Sequence, residues 1–420
     1  MPGDKAPVEV TRDLRYVVRT LLNRNNNSFP GAQPVSFGSE HLLKLQEQDY
    51  YVCEKTDGIR CLMYLTQGTM NEEVVYLIDR NNEYYHVQDL HFPLEGDNPA
   101  AFHTRTILDG ELVIDTDPKT EESALKYLVF DCLIMDGKNL MGRSLDKRLA
   151  YFRQQLLSPY EALYKRYPEE LQYVPFTIHF KHQEFGYAMD QVFNRIIPNL
   201  HHGNDGLIFT CVNSPYTPGT DPHILKWKAA NENTIDFRMH LNFPMIEPDE
   251  DEDDGPYPDY NALPQVDLTV DGGSVEGDVD WGTLALSAEE WEGMKEENRP
   301  LNERIVECYM DDGNWRYLRF REDKSESNYI RTAKGVMASI ADEVTKEDLI
   351  SHEKLIKVEW KKRADEAKRE AAATARKEAE ARREAQARKS AKDMSAPNGD
   401  CANGVGGTKR KFEGNEQEPD

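Results

Sequence analysis

Short runs of aliphatic and aromatic residues, bounded by turn-forming residues, recur through the first 240 residues and constrain the fold more than any other feature. Such runs are typical of β-strands, which we predict over residues 50–53, 61–65, 74–80, 84–87, 106–114, 125–133, 206–210 and 223–228. Segments with helical spacing predict helices over 8–24, 40–45, 145–157 and 187–197, and residues 29–37 read as a proline-rich loop. The mixture predicts an α+β domain.

A second, smaller domain made of strands is predicted to follow. Strands over 234–239, 304–310 and 314–321 flank residues 247–280, which hold thirteen acidic residues and no lysine or arginine. Low hydrophobicity with high charge favours disorder, so we predict a disordered acidic insert over 247–280. The remaining length suits an OB barrel. The predicted domains are 1–237, 238–335, a C-terminal helix that packs back over 336–360, and a charged tail over 361–420.

The tail is charged and rich in alanine. Residues 361–392 carry twelve basic and six acidic side chains. They favour a helix by propensity but lack the apolar seam of a coiled coil, which predicts a solvated single helix. This cationic helix is also an alternative candidate for the main RNA-binding element, to be tested by truncation after Ile356. The stretch from Ser395 is predicted to be disordered, and its Lys409-Arg410-Lys411 is a nuclear-import candidate that predicts a nuclear location.

The formal net charge of −25 does not exclude a polyanionic substrate, because about half of the acidic excess lies within 247–280. A local cationic groove can still hold phosphates. The six cysteines are scattered without a Cys-x-x-Cys pair, which argues against a zinc site and fits a reducing, intracellular compartment. No apolar run approaches the roughly 18 residues of a membrane span, and the first residues carry no secretory signal.

The stretch Glu54-Lys55-Thr56-Asp57-Gly58-Ile59-Arg60 lies between two predicted strands. Asp-Gly between alternating apolar runs predicts a β-hairpin, in which Lys55 is one exposed lysine among many. The other interpretation is that the end of a rigid strand displays a lysine nucleophile beside an arginine. Four further short elements favour the second interpretation: Leu108-Asp109-Gly110-Glu111, Asp205-Gly206-Leu207-Ile208, Leu225-Lys226-Trp227-Lys228 and Arg321-Glu322-Asp323-Lys324.

These five elements, in this order, resemble the covalent nucleotidyltransferase superfamily over about residues 10–335. Within it they are similar to the GTP:RNA guanylyltransferases that cap messenger RNA, most of all the fungal type with a stand-alone guanylyltransferase subunit. The loop over 29–37, Leu77-Ile78-Asp79-Arg80, Asn204-Asp205-Gly206 and the Lys-Trp-Lys form carry that likeness. The resemblance implies a nucleotidyltransferase domain whose antiparallel sheets form a nucleotide cleft, and an OB-fold lid domain behind it.

The resemblance also implies a reaction in two steps. A lysine amine takes GMP from GTP and expels pyrophosphate, and the 5′-diphosphate end of nascent RNA then takes the GMP. The amine must lose its proton first, and Lys226, Lys228 and a metal ion are the groups expected to favour that loss. One alternative is an ATP-dependent DNA or RNA ligase of the same superfamily. Another is a catalytically dead scaffold, which would form no adduct with any nucleotide.

Site residues carried over from the family fall into three groups. Catalytic roles are implied for Lys55 as nucleophile and for Lys226, Lys228, Arg321, Asp323 and Lys324, of which the last three belong to the lid. GTP-binding roles are implied for Thr56, Asp57, Gly58, Arg60, Arg80, Glu111, Phe130, Lys181, Asp205 and Ile208. Metal-binding roles are implied for Glu111 and Asp205, as ligands of Mg²⁺ or Mn²⁺. The tandem His201-His202 is expected to be a loop feature and not a metal site.

The expected partners follow from the same resemblance. They are 5′-diphosphate RNA and the phosphorylated C-terminal tail of RNA polymerase II, with no membrane. The chain has no Cys-x5-Arg phosphatase loop, so a separate RNA 5′-triphosphatase subunit is also expected.

Overall fold

The structure is a computed structural model that describes residues 1–394 except 97, 99, 230–231 and 248–254, with side chains as far as residue 384. The α-helices are α1 (Val8–Leu21), α2 (Glu40–Glu47), α3 (Leu145–Tyr151), α4 (Ser158–Arg166), α5 (Met189–Gln191), α6 (Gly273–Glu276), α7 (Ala288–Glu296), α8 (Ile330–Ala341) and α9 (Lys346–Met394). Phe152–Leu157 and Val192–Ile196 form π-helical turns, and Pro168–Gln172 and Ile197–Asn199 form 3₁₀ turns.

The strands of the first domain are β1 (Asp4–Lys5), β2 (Ala32–Ser36), β3 (Tyr50–Thr56), β4 (Ile59–Gln67), β5 (Glu73–Ile78), β6 (Tyr84–Val87), β7 (Thr106–Thr116), β8 (Ser123–Met135), β9 (Lys138–Asn139), β10 (Thr177–Phe180), β11 (Glu184–Phe185), β12 (Asn204–Cys211) and β13 (Gly219–Trp227). Those that follow are β14 (Thr234–Asn242), β15 (Met245–Ile246), β16 (Tyr257–Pro258), β17 (Gln265–Asp271), β18 (Asp278–Thr283), β19 (Ile305–Asp311) and β20 (Asn314–Phe320). The predicted α+β class is confirmed.

The larger sheet has the order β1-β6-β5-β4-β7-β8-β10, with β9 paired to β8. Side chains alternate between the two faces of a strand, and on β4 both faces are apolar. Met63 and Leu65 pack with Phe152 of the helical layer, whereas Leu62 and Tyr64 pack with Val18 of α1. Burial on both faces explains why β4 reads as a continuous apolar run.

The smaller sheet has the order β11-β3-β12-β13-β2. Its β2 pairs in parallel with β13, so the prediction of a loop over 29–37 is wrong for Ala32–Ser36. One face packs on α2, the turn around Val192 and the start of α9, through residues such as Leu45, Leu349 and Ile356.

The predicted hairpin around Asp57-Gly58 is wrong. β3 belongs to the smaller sheet and β4 to the larger one, so the turn links two sheets and does not pair two strands. A Cβ atom on Gly58 would lie 2.4 Å from the carbonyl oxygen of Leu112 on β7. The glycine therefore allows the turn to pass close to the larger sheet. Lys55 therefore lies near the end of β3 in the smaller sheet, and Arg60 lies near the start of β4 in the larger sheet.

The second domain is a five-stranded barrel, and the predicted OB fold is confirmed. Its sheet has the order β18-β17-β14-β19-β20, and a parallel bridge between Leu284 and Trp315 joins its two edges. The predicted disordered insert over 247–280 is wrong for residues 265–280, because β17 and β18 are barrel strands there. Val266, Leu268 and Val270 point into the barrel core. Residues 248–254 lie outside the described residues.

The C-terminal part contains two helices where one was predicted over 336–360. The first, α8, packs Ala333 into the barrel core. The second, α9, begins at Lys346 and packs on the smaller sheet of the first domain. Residues 361–384 of α9 are almost all exposed, which confirms the helix predicted there, while the predicted disorder from Ser395 lies outside the described residues. No helix in the described part of the chain is long and apolar enough to cross a membrane.

Candidate active site

A cavity of about 360 Å³ opens between the two sheets of the first domain. Ten of the predicted site residues line it: Lys55, Thr56, Arg60, Arg80, Glu111, Phe130, Lys181, Ile208, Lys226 and Lys228. Asp205 is hydrogen-bonded to one of these lysines, and Asp57 and Gly58 form the turn between the sheets. The structure therefore brings together residues spread over more than 170 positions of the sequence.

Strand alternation explains one wall of this cavity. On β13, Lys226 points into the cavity, whereas Leu225 and Trp227 point into the core behind the sheet. On the neighbouring β12, Ile208 faces the cavity, while Leu207 and Phe209 face the core. The Lys-Trp-Lys form is thus a strand with one cationic face and one buried face, which also directs Lys228 toward the cavity.

A shared carboxylate holds two of the lysines. Asp205 lies at the start of β12, and its Oδ1 is 2.5 Å from Nζ of Lys55, while its Oδ2 is 2.5 Å from Nζ of Lys228. Burial tends to raise the pKa of Asp205, but hydrogen bonds from Lys228 and Lys55 outweigh it and lower that pKa below its usual value. Burial lowers the pKa of Lys226, and the charges of Lys228 and Lys55 lower it further. The cavity therefore concentrates positive charge at its open end.

The turn that follows Lys55 is fixed against the segment that carries Asp205. The backbone N–H of Asp57 donates to the carbonyl oxygen of Gly203 at 2.9 Å, and Asn204 pairs with Thr56 in the sheet. This backbone bonding sets the separation of the Lys55 amine and the Asp205 carboxylate.

A buried ion pair fixes Arg60 on the opposite wall. Its Nε and Nη2 donate to the two carboxylate oxygens of Asp109 at 3.1 and 2.7 Å, and Tyr216 Oη donates to the same carboxylate at 2.5 Å. Burial tends to lower the pKa of the Arg60 guanidinium, but Asp109 outweighs it and raises that pKa. The guanidinium lies 5.4 Å from the ring centre of Phe130, a cation–π distance. Arg60 is therefore permanently charged and held in one orientation.

At the closed end of the cavity Lys181 forms part of a buried polar cluster. Its Nζ donates to Glu54 Oε1 at 2.6 Å and to the hydroxyl of Thr56. Burial tends to raise the pKa of Glu54, but His202 and Lys181 outweigh it and lower that pKa. The imidazole of His202 lies behind Glu54 and bonds through Nδ1 to Asp115 at 2.6 Å. Of the histidine pair, His201 is exposed, whereas the side chain of His202 is only 8% exposed and is paired with Asp115.

Glu111 is the second carboxylate with a proposed metal role. It lies opposite Arg60 in the pairing of β7 with β4. Burial raises the pKa of Glu111 even though Lys181, Lys55 and Arg60 act in the opposite direction. Within the described residues, no three metal-binding side chains of the His, Cys, Asp and Glu types come together. Two carboxylates suit Mg²⁺, which is commonly held by one or two carboxylates together with substrate phosphates.

The three predicted lid residues lie in the barrel and do not line the cavity. Arg321 donates to both oxygens of Asp323 at 2.9 and 2.8 Å and to Asp236 at 2.9 Å. Lys324 also donates to Asp236, a buried residue of β14. Hydrogen bonds from Arg321 hold the pKa of Asp323 well below its usual range. The lid cations are thus held in place by Asp236, which the sequence analysis did not select.

Several other site residues were missed by the sequence analysis. Asp109 lies within a selected motif, but only Glu111 of that motif received a role. Glu54 is adjacent to Lys55, and its local sequence indicates only a strand residue. Tyr216 contacts Asp109 across 107 positions, and no local pattern indicates such a contact.

Comparison with known proteins gives a consistent result over both domains. The sequence model described as mRNA capping enzyme, catalytic domain, matches residues 1–230, and the model described as mRNA capping enzyme, C-terminal domain, matches residues 232–350. The predicted boundary at 237/238 instead falls inside β14.

Similar full-length proteins carry one name. The chain is 46% identical over 364 residues to the mRNA-capping enzyme subunit alpha of Neurospora crassa, covering 83% of this chain and 90% of that protein. It is 45% identical over 354 residues to the subunit alpha of Schizosaccharomyces pombe, covering 83% and 86%. A solved mycobacterial DNA ligase D complexed with ATP and MES is similar over 70% of this chain and 95% of that chain. Its identity of 15% and TM-score of 0.34 are too low to carry an argument.

Proposed function

Because the chain belongs to the mRNA capping enzyme family, we propose that its cavity takes GMP from GTP onto Lys55 and passes it to the 5′-diphosphate end of RNA. This is the reaction of an mRNA guanylyltransferase. The observation that carries the proposal is the carboxylate of Asp205, which lies 2.5 Å from the amines of both Lys55 and Lys228 beside a cavity. With Lys226 included, three amines face one carboxylate, and the excess of two positive charges attracts a triphosphate.

In the first step the Lys55 amine gives up a proton to solvent and attacks the α-phosphorus of GTP. A phosphorus–nitrogen bond forms, the bond to the bridging oxygen breaks, and pyrophosphate leaves with that electron pair. Lys226 lies on β13, one strand beyond β12, and Lys228 follows the end of β13; both stabilise the negative charge that grows on the phosphate oxygens. Asp205 keeps the amine directed into the cavity.

In the second step a terminal oxygen of the RNA diphosphate attacks the same phosphorus. The phosphorus–nitrogen bond breaks, and Lys55 regains a proton as the cap linkage forms. The lid residues Arg321, Asp323 and Lys324 belong to the first step, in which they orient the β- and γ-phosphates when the barrel closes. Asp236 keeps this cationic group assembled while the barrel is away from the cavity.

The nucleoside of GTP fits the closed end of the cavity. Thr56 and Lys181 are directed toward the edge of the guanine base, and Phe130 and Ile208 toward its two faces. Arg60, Arg80 and Glu111 surround the ribose hydroxyls. A divalent cation, Mg²⁺ or Mn²⁺, would be held by Asp205 and Glu111 with phosphate oxygens, and it supplies charge neutralisation to the triphosphate.

Two protein partners complete the proposal. The names of the relatives as subunit alpha imply a second subunit, and we assign it the RNA 5′-triphosphatase activity because the chain has no Cys-x5-Arg loop. Docking to the phosphorylated tail of RNA polymerase II and a nuclear location follow from the substrate, which is nascent RNA.

The test is mass spectrometry of the intact protein after incubation with magnesium and either GTP or ATP. The proposal expects a GMP adduct that maps to the peptide containing Lys55 and that RNA with a 5′-diphosphate removes. Lys55→Arg, which keeps the charge, should form no adduct, whereas Lys44→Arg on α2 serves as the matched control. An adduct formed only with ATP would exclude the guanylyltransferase function, as would an adduct that survives Lys55→Arg.

A further inference from the structure

His202 belongs to a chain of charged groups that runs behind the nucleotide cavity. Lys126 on β8 lies 2.5 Å from Asp115 on β7, and Asp115 lies 2.6 Å from Nδ1 of His202. On the other side, Nε2 of His202 lies 3.8 Å from Oε1 of Glu54. That same oxygen is 2.6 Å from the Lys181 amine. The chain therefore places Glu54 between two cationic side chains.

Glu54 has one close partner, Lys181, and a second partner, His202, beyond hydrogen-bond distance. Lys181 is within hydrogen-bond distance, whereas the buried Nε2 of His202 has no hydrogen-bond partner. A buried polar nitrogen without a partner is uncommon in folded proteins. The 3.8 Å gap is small enough to close by a change in the side-chain torsions of Glu54.

Glu54 needs His202 as a partner when Lys181 bonds to a ligand. The side chain of Glu54 is only 8% exposed, and a buried carboxylate that loses its partner is strongly destabilised. If Lys181 turned toward an acceptor on a bound base with no other cation present, this cost would oppose binding. An imidazolium at His202 removes the cost because it takes over the carboxylate as the lysine leaves.

We propose that His202 is a positioning residue for base recognition. Its imidazolium pairs with the carboxylate of Glu54 when Lys181 bonds to the oxygen at position 6 of guanine. The proposal rests on the guanylyltransferase function above and extends it to the residues that set its base specificity. His202 does not line the cavity, so in this proposal it acts only through Glu54.

The protonation of His202 is consistent with this role. Glu54 raises the pKa of His202, burial acts in the opposite direction, and Asp115 raises it further. The charged groups that act on it are Glu54 on β3, Asp115 on β7 and Lys181 after β10, while Lys126 on β8 and His179 on β10 act on Asp115. Because the pKa of His202 is raised, its positive charge is present at low pH and is lost as pH rises through that pKa. Weaker GTP binding is therefore expected at high pH.

The test compares two nucleotides that differ at position 6. GTP carries an oxygen acceptor there, and the triphosphate of 2,6-diaminopurine riboside carries an amino donor that Lys181 cannot use. His202→Gln should raise the KM for GTP in adduct formation by about tenfold and leave the KM for the diaminopurine nucleotide within about twofold. The rate at saturating GTP should not change, because Lys55 and its neighbours are intact. His201→Gln, on the exposed neighbour, is the matched control and should resemble the native chain.

Two further measurements keep the proposal falsifiable. In a Glu54→Gln background His202 has no carboxylate to pair with, so adding His202→Gln should not change the KM for GTP further. In the native chain the ratio of the two KM values should change between about pH 6 and about pH 9. An equal rise in both KM values on His202→Gln, or a ratio that is flat with pH, would overturn the proposal. A native chain that forms no adduct with any nucleotide would instead contradict the guanylyltransferase function itself.

Discussion

Replacing Asp109 with asparagine tests whether the Arg60 ion pair is part of both the fold and the site. Asp109 is fully buried, and its two oxygens accept from Arg60 at 3.1 and 2.7 Å and from Tyr216 at 2.5 Å. Asparagine has a similar shape but one acceptor oxygen and no charge. Its amide group would face the donor groups of Arg60 or Tyr216, and the guanidinium would lose its counter-charge.

The expected cost follows from the burial of both partners. Removing one member of a buried ion pair costs about 3–5 kcal/mol in free energy of unfolding. Because Glu111 also raises the pKa of Arg60 and partly compensates, we expect about 3 kcal/mol for Asp109→Asn. With a urea dependence of about 3 kcal/mol/M for a chain of this size, the unfolding midpoint should fall by about 1 M.

The assay is urea unfolding followed by fluorescence, together with GMP adduct formation at a urea concentration of zero. Asp109→Asn should also raise the KM for GTP by about tenfold or more, because Arg60 is no longer fixed against Phe130. Tyr216→Phe is the graded control, since it removes one hydrogen bond to a charged group, worth about 1.5–3 kcal/mol. An Asp109→Asn chain that unfolds at the native urea concentration would refute the reasoning about this ion pair.

Four shorter predictions concern other parts of the molecule. Asp205→Asn should slow adduct formation at saturating GTP by about 100-fold or more, because the two flanking lysines lose the charge that directs them; an unchanged rate would contradict this. Glu307 accepts hydrogen bonds of 2.6 and 2.7 Å from a threonine and an arginine; these outweigh the effect of burial and lower its pKa. Glu307→Gln should therefore cost about 1–2 kcal/mol of stability near pH 7. The difference should disappear as pH falls through that lowered pKa, and a pH-independent difference in urea midpoint would be evidence against it. Truncation after Trp360 removes residues 361–420, of which those described with side chains, 361–384, are almost all exposed, so adduct formation should stay within about twofold; a larger loss would assign the tail a part in catalysis. Arg321→Ala should slow adduct formation by about tenfold without changing equilibrium GTP binding, and weakened binding alone would argue against a lid role.

The elements that could be predicted are those whose local pattern has one solution. The run from Leu62 to Leu65 places apolar side chains on both faces of a strand. It therefore predicts a strand buried on both sides, and it forms β4 between two core clusters. The prediction for the acidic segment was wrong for the opposite reason. Its high net charge indicated disorder, although apolar and polar residues alternate regularly within it. Val266, Leu268 and Val270 point inward while the residues between them carry the polar groups. The period of two was present in the sequence, but average composition outweighed it.

Strand pairing and long-range ion pairs were not accessible from local pattern. Asp57-Gly58 forms a turn whichever strand follows, so the sequence gives no indication that β3 and β4 enter different sheets. The lysines of the cavity were predictable because Lys226 and Lys228 share a strand face with period two. Tyr216 was not, because its partner lies 107 residues away.

The chain passes between the two domains twice, once between Lys228 and β14 and once between α8 and α9. Trp227, the last residue of β13, donates through Nε1 to the carbonyl oxygen of Val344 in that second segment at 2.6 Å, so the second passage is bonded to the strand end that precedes the first. A small cavity of about 130 Å³ lies at this point and is lined by Lys226, Trp227, Lys228 and residues of α8. In the proposed closure the barrel must rotate about these passages, because Ala333 ties α8 to the barrel and Val344 is buried in the first domain. In that proposed closure the pivot and the cationic wall of the cavity would share one strand end, so Lys226 and Lys228 would stay fixed while Arg321 moves.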